Sequence, residues 1–298
     1  MENLACPVCG CDKPKKIADI GITVFRCPDC TLEYVNTKKM FELCDVVTKT
    51  SMKNKQEYTD MLKSLEPLRI SNNKKIIDRM SSFLPEESNG LEVGCAVGFF
   101  LEQANKKYTV SGIEPMEKSF EISKSKGLDV VHGYFPGNVD FSKKYDFVIF
   151  NDVFEHIPDI HSVMSSCQNL LKDNGFLLIN LPDSDGILHK ISKLLCRLGD
   201  QSSLKRLWQL GTESPHLYYF NSRSLDLLNE KHGFHRTGFL KLDSFSKNGL
   251  SKRLAAISMG KIRTYIYNIG LTLLFPALRA MYSDTNLYIY QKNNSMEK

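Results

Sequence analysis

The sequence predicts a doubly wound α/β protein, in which a mostly parallel β-sheet is covered by helices on both faces, preceded by a small cysteine-rich module. From Gly90 onward, apolar runs of strand length alternate with helical patterns, which is typical of a parallel sheet. Four cysteines in two closely spaced pairs lie within the first 30 residues, ahead of that alternation. A chain of 298 residues is long enough for one α/β domain and a small appendage.

The composition is that of a soluble globular protein. Hydrophobic residues make up 42% of the chain and charged residues 24%, so we expect a large buried core. The net charge of +5 is too mild to mark a nucleic-acid-binding protein by itself. The first residues contain no basic segment followed by an apolar run, so we expect no secretory signal and a cytoplasmic location. Nine cysteines in such a chain favour metal binding over disulfides.

The two cysteine pairs have the spacing of a metal-binding module. Cys6 and Cys9 form one Cys-x-x-Cys pair, and Cys27 and Cys30 form the second. Two such pairs separated by a short stretch are typical of a four-thiolate zinc ribbon. Because four sulfur ligands leave no open position for water, we expect a structural zinc ion (Zn²⁺) rather than a catalytic one. Cys11 is then a bystander.

This pattern divides the chain into three parts. The predicted zinc ribbon spans residues 1–40, and residues 41–84 are a polar, lysine-rich linker with lead-in helices at Tyr58–Leu65 and Asn73–Met80. Residues 85–298 form the predicted α/β domain.

Five apolar runs are the predicted parallel strands, and ligands of such sheets bind where the strands end. These strands are Leu91–Cys95, Thr109–Glu114, Val130–Tyr134, Phe147–Phe150 and Phe176–Leu181. The first strand runs into a turn with Gly94 and Gly98, which lets the backbone pass close to a cofactor. Glu114 closes the second strand about 20 residues later, where an acidic side chain can accept hydrogen bonds from two ribose hydroxyls.

These segments resemble the motifs of class I S-adenosylmethionine (SAM)-dependent methyltransferases. Leu91–Leu101 resembles their SAM-binding motif, and Ser111–Pro115 resembles their ribose-binding motif. Asn151–Pro158 and Leu170–Asn180 are similar to later segments of the family in order and spacing. The resemblance extends from residue 90 to about residue 291. It implies a seven-stranded, mostly parallel sheet that ends in a hairpin of Phe234–Leu242 and Asn286–Gln291.

The same resemblance implies which residues bind SAM. Glu92, Gly94 and Gly98 are expected at the methionine end, and Ala96 stands where the family often has glycine. Glu114 is expected to hold the ribose. The remaining implied contacts are Cys95 and Phe99 in the turn, Pro115 after the second strand, Tyr134 or Phe135 over the adenine, and Asn151 and Asp152 beside the sulfonium.

A nicotinamide-dependent dehydrogenase is the competing interpretation of the glycine turn and Glu114. Such an enzyme must hold a pyrophosphate at a helix N-terminus, which normally comes with a G-x-G-x-x-G run. The turn from Gly94 to Gly98 lacks that spacing, so SAM is favoured.

Methyl transfer to a hydroxyl requires a group that removes the acceptor proton, and histidine suits this role near neutral pH. His216 and His156 stand at positions expected near the site. The stretch around His216 is similar to one in many small-molecule methyltransferases, including zinc-containing sugar C-methyltransferases whose base is a Glu-His pair. Here Pro215 replaces that glutamate. Each histidine is therefore a candidate base, with an orienting or structural role as the alternative.

Two insertions interrupt the predicted domain. Residues 183–213 contain apolar residues on one helical face, from Ile187 to Leu198, and are predicted to form a lid over the acceptor. Residues 244–283 carry six basic and no acidic residues around an apolar run too short to cross a membrane. This segment either packs on the core or contacts a membrane surface peripherally, which would suit a lipid-linked acceptor.

The sequence thus favours a SAM-dependent methyltransferase that acts on a small molecule. The preferred acceptor is a hydroxyl of a sugar, nucleotide-sugar or lipid-linked glycan. One alternative is an RNA methyltransferase whose zinc ribbon grips nucleic acid, which the modest charge disfavours. Another is a non-catalytic scaffold, which the complete set of SAM-binding residues disfavours.

Overall fold

The computed structural model describes residues 4–48, 55–244 and 284–293. Its N-terminal part is a four-stranded antiparallel sheet. Three of its strands are consecutive in the chain: β1 (Lys15–Asp19), β2 (Thr23–Arg26) and β3 (Glu33–Val35). The fourth, β9 (Tyr218–Tyr219), comes from far along the chain and pairs with β3. The N-terminal sheet is therefore completed by residues from the C-terminal half.

A second sheet of seven strands forms the centre of the molecule. Five of its strands are parallel: β4 (Asn89–Val93), β5 (Thr109–Glu114), β6 (Val130–His132), β7 (Tyr145–Asn151) and β8 (Leu171–Pro182). The others are β10 (Phe234–Leu242) and β11 (Thr285–Lys292). The order across the sheet is β10-β11-β8-β7-β4-β5-β6, and β11 is antiparallel to both neighbours. The predicted seven-stranded, mostly parallel sheet is confirmed.

Helices connect and flank these strands. They are α1 (Thr37–Thr48), α2 (Lys55–Met80), α3 (Phe99–Ala104), α4 (Glu117–Ser125), α5 (Ile160–Leu170), α6 (Ile187–Arg197), α7 (Ser202–Leu207) and α8 (Ser222–Lys231). A short 3₁₀ helix, Phe154–His156, follows β7. None of the described helices is both long and apolar enough to cross a membrane.

The central strands are buried on both faces, as a parallel sheet with helices on each side requires. In β7, the four residues from Phe147 to Phe150 are all buried. A glycine is needed at Gly90 on the adjacent strand, because a Cβ atom there would lie 2.1 Å from Phe147 Cζ. One apolar core extends from the central sheet into the N-terminal sheet. The division of the chain at residues 40 and 84 stays a prediction.

The two predicted lead-in helices are one continuous helix, α2, although Pro67 lies inside it. The first predicted lid segment is also helical, as α6 and α7. Half of its apolar row is exposed: Ile191, Leu194 and Leu198 are 38%, 55% and 76% exposed, whereas Ile187, Leu188 and Leu195 are half-buried. The second insertion, 244–283, lies outside the described residues apart from Ser244, and so does its predicted membrane contact.

α6 packs by its polar side because a buried carboxylate lies opposite. Glu33 of β3 is fully buried and accepts hydrogen bonds from His189 Nε2 at 2.6 Å and Lys193 Nζ at 2.5 Å. Arg26 Nη1 is 2.9 Å from the same carboxylate. Burial alone would raise the pKa of Glu33, but the hydrogen bond and charge of His189 and the charge of Lys193 lower it to about 2. This cluster joins the N-terminal sheet to α6.

We expect Glu33→Ala to lower the free energy of unfolding by about 3 kcal/mol, because it leaves the positive partners of a buried ion pair unpaired. Urea denaturation followed by circular dichroism measures this change. Glu42→Ala, at an exposed position of α1, is the matched control and should unfold as the wild type does. An equal midpoint for all three proteins would contradict the assigned role of Glu33.

The depressed pKa of Glu33 also predicts how this contribution depends on pH. An unfolded glutamate titrates near its ordinary value of 4.5, and the folded one near 2. The ionised form therefore stabilises the fold fully above pH 4.5, and this stabilisation is lost as the pH falls towards 2. The difference in unfolding free energy between wild type and Glu33→Gln should shrink between pH 6 and pH 3. A constant difference over that range would be inconsistent with the lowered pKa.

Candidate functional site

The predicted cofactor turn lies at the carboxyl edge of the central sheet, between β4 and α3. Gly94 and Gly98 have φ values of 68° and 83°, in the left-handed region that glycine adopts at little cost. A Cβ atom on Gly94 would lie 2.6 Å from a methyl group of Val153, so the turn also leaves no room for a side chain. Ala96, where the related motif often has glycine, has a φ of 48°. The turn keeps the left-handed backbone at this position despite the added methyl group.

Glu114 ends β5 beside this turn, as the resemblance implies. Its Oε2 accepts a hydrogen bond from the backbone N–H of Ala96 at 2.8 Å, and its Oε1 accepts one from Met116 at 2.9 Å. Burial raises the pKa of Glu114, although both backbone hydrogen bonds act to lower it. Each oxygen has a second lone pair, so the fixed carboxylate can also accept hydrogen bonds from a ribose.

Glu92 lies on β4, behind the turn, and is buried. Its Oε2 has no hydrogen-bond partner among the described residues. Burial is the main reason that the pKa of Glu92 lies well above its usual range, with the charge of Arg69 opposing it. A buried carboxylate with an unpaired oxygen suits a ligand that brings a positive charge or N–H donors. The ammonium group of the methionine portion of SAM has that chemistry.

A network of polar side chains lies where β7 and β8 end. Asn180 Nδ2 donates to Asn151 Oδ1 at 2.6 Å, and Asn151 Nδ2 donates to Asn73 Oδ1 at 3.1 Å. Asp152 has a φ of 59° and pairs with Arg69 at 3.0 Å. Asn73 and Arg69 come from α2, one helical turn apart. The sequence interpretation placed Arg69 in the linker and Asn73 at the start of the second lead-in helix, although their spacing of four residues was a sign that they share a face.

The other predicted contacts differ in how far their side chains are buried. Tyr134 is 73% exposed, whereas Phe135 is 9% exposed and packs edge-on against Phe150 at 5.7 Å between ring centres. Phe135 is therefore the better placed of the two to form an apolar wall. Cys95 packs towards the sheet, since a Cβ atom on Gly112 would lie 2.6 Å from its Sγ atom.

Two further predicted contacts, Phe99 and Pro115, interact with neighbouring side chains. Lys126 Nζ lies 5.1 Å from the centre of the Phe99 ring. The carbonyl of Pro115 is 3.1 Å from His132 Nε2. The assignment of all these residues to SAM stays a prediction.

The two candidate catalytic histidines lie together. The rings of His156 and His216 meet edge to face, with 4.7 Å between their centres. Glu155 lies between them, and its Oε1 is 3.9 Å from Nε2 of each histidine. Glu155 is 1% exposed, and neither of its oxygens has a hydrogen-bond partner among the described residues. The sequence interpretation quoted Glu155 in its motif but did not assign it a role.

Hydrogen bonds fix how these imidazoles are oriented. His156 Nδ1 is 2.9 Å from the carbonyl of Pro215, so Nδ1 carries the proton and the lone pair lies on Nε2. Gln209 Nε2 is 2.9 Å from His216 Nε2, which places the lone pair of His216 on Nε2 as well. Burial lowers the pKa of both histidines, so both are neutral near pH 7. Nε2 of each ring lies 3.9 Å from Glu155 Oε1, and the Nε2 lone pair of His216 is engaged by Gln209.

The four predicted zinc ligands are also brought together. Cys6 and Cys30 Sγ are 3.4 Å apart, Cys9 and Cys27 Sγ are 3.3 Å apart, and all four sulfurs lie within 4.8 Å of one another. These are separate thiols and not disulfides. Four sulfurs at such distances fit a tetrahedral ion with metal–sulfur bonds of about 2.3 Å.

The cysteine module abuts the loop that carries His216. Glu33 of β3 pairs with Tyr219 of β9, and the Val35 N–H donates to the carbonyl of Leu217 at 3.2 Å. Leu217 in turn donates its N–H to the carbonyl of Glu155 at 2.9 Å. The His216 loop is thus held between the cysteine module and the 3₁₀ helix that follows β7.

Comparisons with known proteins agree with this architecture. The sequence profile of the family described as "Methyltransferase domain" matches residues 67–237, which is more than half of the chain. The ubiquinone biosynthesis O-methyltransferase of Nitrosomonas europaea is 29% identical over 133 residues, which are 40% of this chain and 52% of that protein. The chain spans about half the length of the curated relatives it matches.

Solved structures share the fold at low sequence identity. A SAM-dependent methyltransferase of Thermotoga maritima aligns with a TM-score of 0.52 and 16% identity over 80% of this chain and 95% of that chain. A SAM-dependent methyltransferase of Clostridium acetobutylicum aligns with a TM-score of 0.51 and 11% identity over 80% and 99%. The Rossmann-like fold implied by the sequence resemblance is confirmed. By the profile match over residues 67–237, the chain belongs to the family of methyltransferase domains.

Proposed function

We propose that this protein transfers a methyl group from SAM to a hydroxyl oxygen of a small-molecule acceptor. The observation that carries this proposal is the buried cluster of Glu155, His156 and His216. Glu155 and His156 lie in the 3₁₀ helix that follows β7, at the same edge of the sheet as the predicted cofactor turn, and His216 joins them from the loop before β9. A SAM cleft next to neutral imidazoles is the arrangement that deprotonation of a hydroxyl requires.

The residues around the cleft suit the chemical groups of SAM. Glu114 would accept hydrogen bonds from the ribose hydroxyls. Glu92 would face the ammonium of the methionine portion of SAM. Arg69, 3.0 Å from Asp152, would provide a positive charge for the carboxylate of that same portion. Phe135 would lie against the adenine. SAM, when bound, supplies a methyl group on a positively charged sulfur, which is a good leaving group.

The protein then has to orient the acceptor and accept its proton. As the acceptor oxygen bonds to the methyl carbon, the sulfur–carbon bond breaks, and the hydroxyl proton leaves the oxygen. Nε2 of His156 would be a neutral base, because Nδ1 carries the proton, and Nε2 of His216 would serve as the base once Gln209 turns away from it. The product is a methyl ether and S-adenosylhomocysteine.

The name of the curated relatives, ubiquinone biosynthesis O-methyltransferase, supports oxygen as the acceptor atom. It does not favour the saccharide or lipid-linked acceptor that the sequence suggested, so we propose a hydroxylated small molecule without restricting it to sugars. The names of these relatives, O-methyltransferases of a biosynthetic pathway, give no support to an RNA acceptor.

We further propose that Cys6, Cys9, Cys27 and Cys30 bind one structural zinc ion. The sulfur geometry and the all-thiolate set support this assignment. The ion would stabilise the N-terminal sheet, and through the β3–β9 pairing it would support the His216 loop. The cytoplasmic location and the membrane contact of 244–283 stay predictions.

The SAM site predicts a specific effect at Glu114. Glu114→Gln keeps the shape of the side chain but removes its charge and one acceptor, so we expect SAM affinity to fall at least about tenfold. Isothermal titration calorimetry with SAM measures this loss. Glu117→Gln, three residues further on at an exposed position, is the matched control and should bind SAM as the wild type does. If both variants bind equally, Glu114 does not hold the cofactor.

The acceptor is identified by transfer of labelled methyl groups. We expect purified protein with tritiated SAM to label the small-molecule pool of a cell extract, and Glu114→Gln to abolish this label. His216→Asn should reduce the label about a hundredfold or more while SAM binding is retained, because general-base catalysis contributes about that much. Label found only in RNA would overturn the proposed acceptor class, and undiminished label with His216→Asn would exclude that base.

A further inference from the structure

The cluster of Glu155, His156 and His216 has the composition of a metal site as well as that of a base. One ligand atom from each side chain, two imidazole Nε2 atoms and one carboxylate oxygen, lies within 4.8 Å of the others. Both nitrogens are 3.9 Å from Glu155 Oε1. An ion with bonds of about 2.0–2.2 Å brings such ligands somewhat closer together, which small rotations of the side chains accomplish.

The isolation of Glu155 is the observation that points to a ligand. Its carboxylate is buried, both oxygens lack hydrogen-bond partners among the described residues, and Nε2 of each histidine lies 3.9 Å from Oε1. Three groups that can bind a cation therefore lie together, and neither histidine donates a hydrogen bond to the carboxylate. Burying such a carboxylate costs several kcal/mol unless a cation or proton compensates it. The nearby Arg69 already pairs with Asp152.

The surrounding hydrogen bonds resemble the outer layer of a metal site. Metal-bound histidines usually donate their second N–H to a carbonyl or carboxylate, which fixes the lone pair towards the ion. His156 does this through Nδ1 and the carbonyl of Pro215. Gln209 adds a fourth group, because the oxygen and nitrogen of its amide exchange places when the amide is rotated by half a turn. Oε1 then takes the position now held by Nε2, 2.9 Å from His216 Nε2, and the His216 lone pair no longer accepts a hydrogen bond from Gln209.

We propose that Glu155, His156 and His216 bind a divalent transition-metal cation, with Gln209 Oε1 as a fourth ligand. Two imidazoles and one carboxylate suit ions such as Zn²⁺, Fe²⁺, Co²⁺ and Mn²⁺ better than Ca²⁺, which prefers oxygen ligands only. Three or four protein ligands leave a position open for an exogenous oxygen. The binding of the ion stands on the cluster itself, whereas its part in methyl transfer rests on the proposed function.

In the proposed reaction the ion would act at the acceptor hydroxyl. A bound cation lowers the pKa of an oxygen next to it, so the hydroxyl would lose its proton to water more readily. The Nε2 lone pairs of His156 and His216 would then bind the ion. They would accept the proton of the acceptor hydroxyl directly only when the ion is absent. Dependence of activity on added metal separates these two states.

The test is a titration of the full-length, zinc-loaded protein with Co²⁺, followed by visible absorption. We expect one Co²⁺ per chain in addition to the zinc ion, with d–d bands but without the near-ultraviolet band that cobalt–thiolate bonds give. Glu155→Gln should weaken this binding at least about tenfold, and His156→Ala should do the same. His235→Ala, on an exposed histidine of β10, is the matched control and should bind as the wild type does.

Calorimetry with SAM verifies that each variant remains folded. Absence of the additional Co²⁺, or equal binding by wild type and Glu155→Gln with SAM binding retained, would overturn the proposal. Cobalt bound only with a thiolate band would mean that the cysteine module takes the metal, and would also overturn it. Because the titration uses neither SAM turnover nor an acceptor, its result is independent of whether the proposed methyl transfer is found.

Discussion

The parallel pairing of β4 with β5 and β7 is the constraint on which the rest of the structure depends. Parallel strands end at the same edge of the sheet, so residues far apart in sequence meet there. Glu92 and Glu114 come from two of these strands, and Asn151 ends the third. Helices cover the faces of the sheet, so the loops at that edge are free to carry polar groups while the strands remain apolar. The predicted cofactor cleft is a consequence of this geometry.

The second organising contact is the pairing of β3 with β9. This pairing joins the three N-terminal strands to β9, a strand of two residues that begins two residues after His216. The cysteine module is therefore part of the wall that supports the predicted acceptor site, and the buried Glu33 extends that support to α6. Loss of the module would remove main-chain hydrogen bonds that hold the His216 loop in place.

Buried carboxylates recur in this molecule, and they are compensated in different ways. Glu33 has three positively charged or donating partners and a pKa of about 2. Glu114 is held by two backbone N–H groups. Glu92 and Glu155 each retain oxygens without partners among the described residues, and both lie at the edge where ligands are expected. Since an uncompensated buried carboxylate is costly, the contrast supports the proposals that SAM completes Glu92 and a metal ion completes Glu155.

The sequence by itself determined the order of strands and helices and the site motifs that follow them. Apolar periodicity reports which segments are buried, and the glycine turn, Glu114 and the cysteine pairs are local patterns that are complete within a few residues. Only the tertiary structure decided what packs against these patterns. It placed Arg69 and Asn73 of α2 beside Asp152 and Asn151. It also turned part of the apolar row of α6 outward, because the polar side of α6 binds Glu33. It also gathered Glu155, His156, Gln209 and His216 from segments over 50 residues apart. Such contacts depend on long-range packing, for which no local pattern in the chain carries a signal.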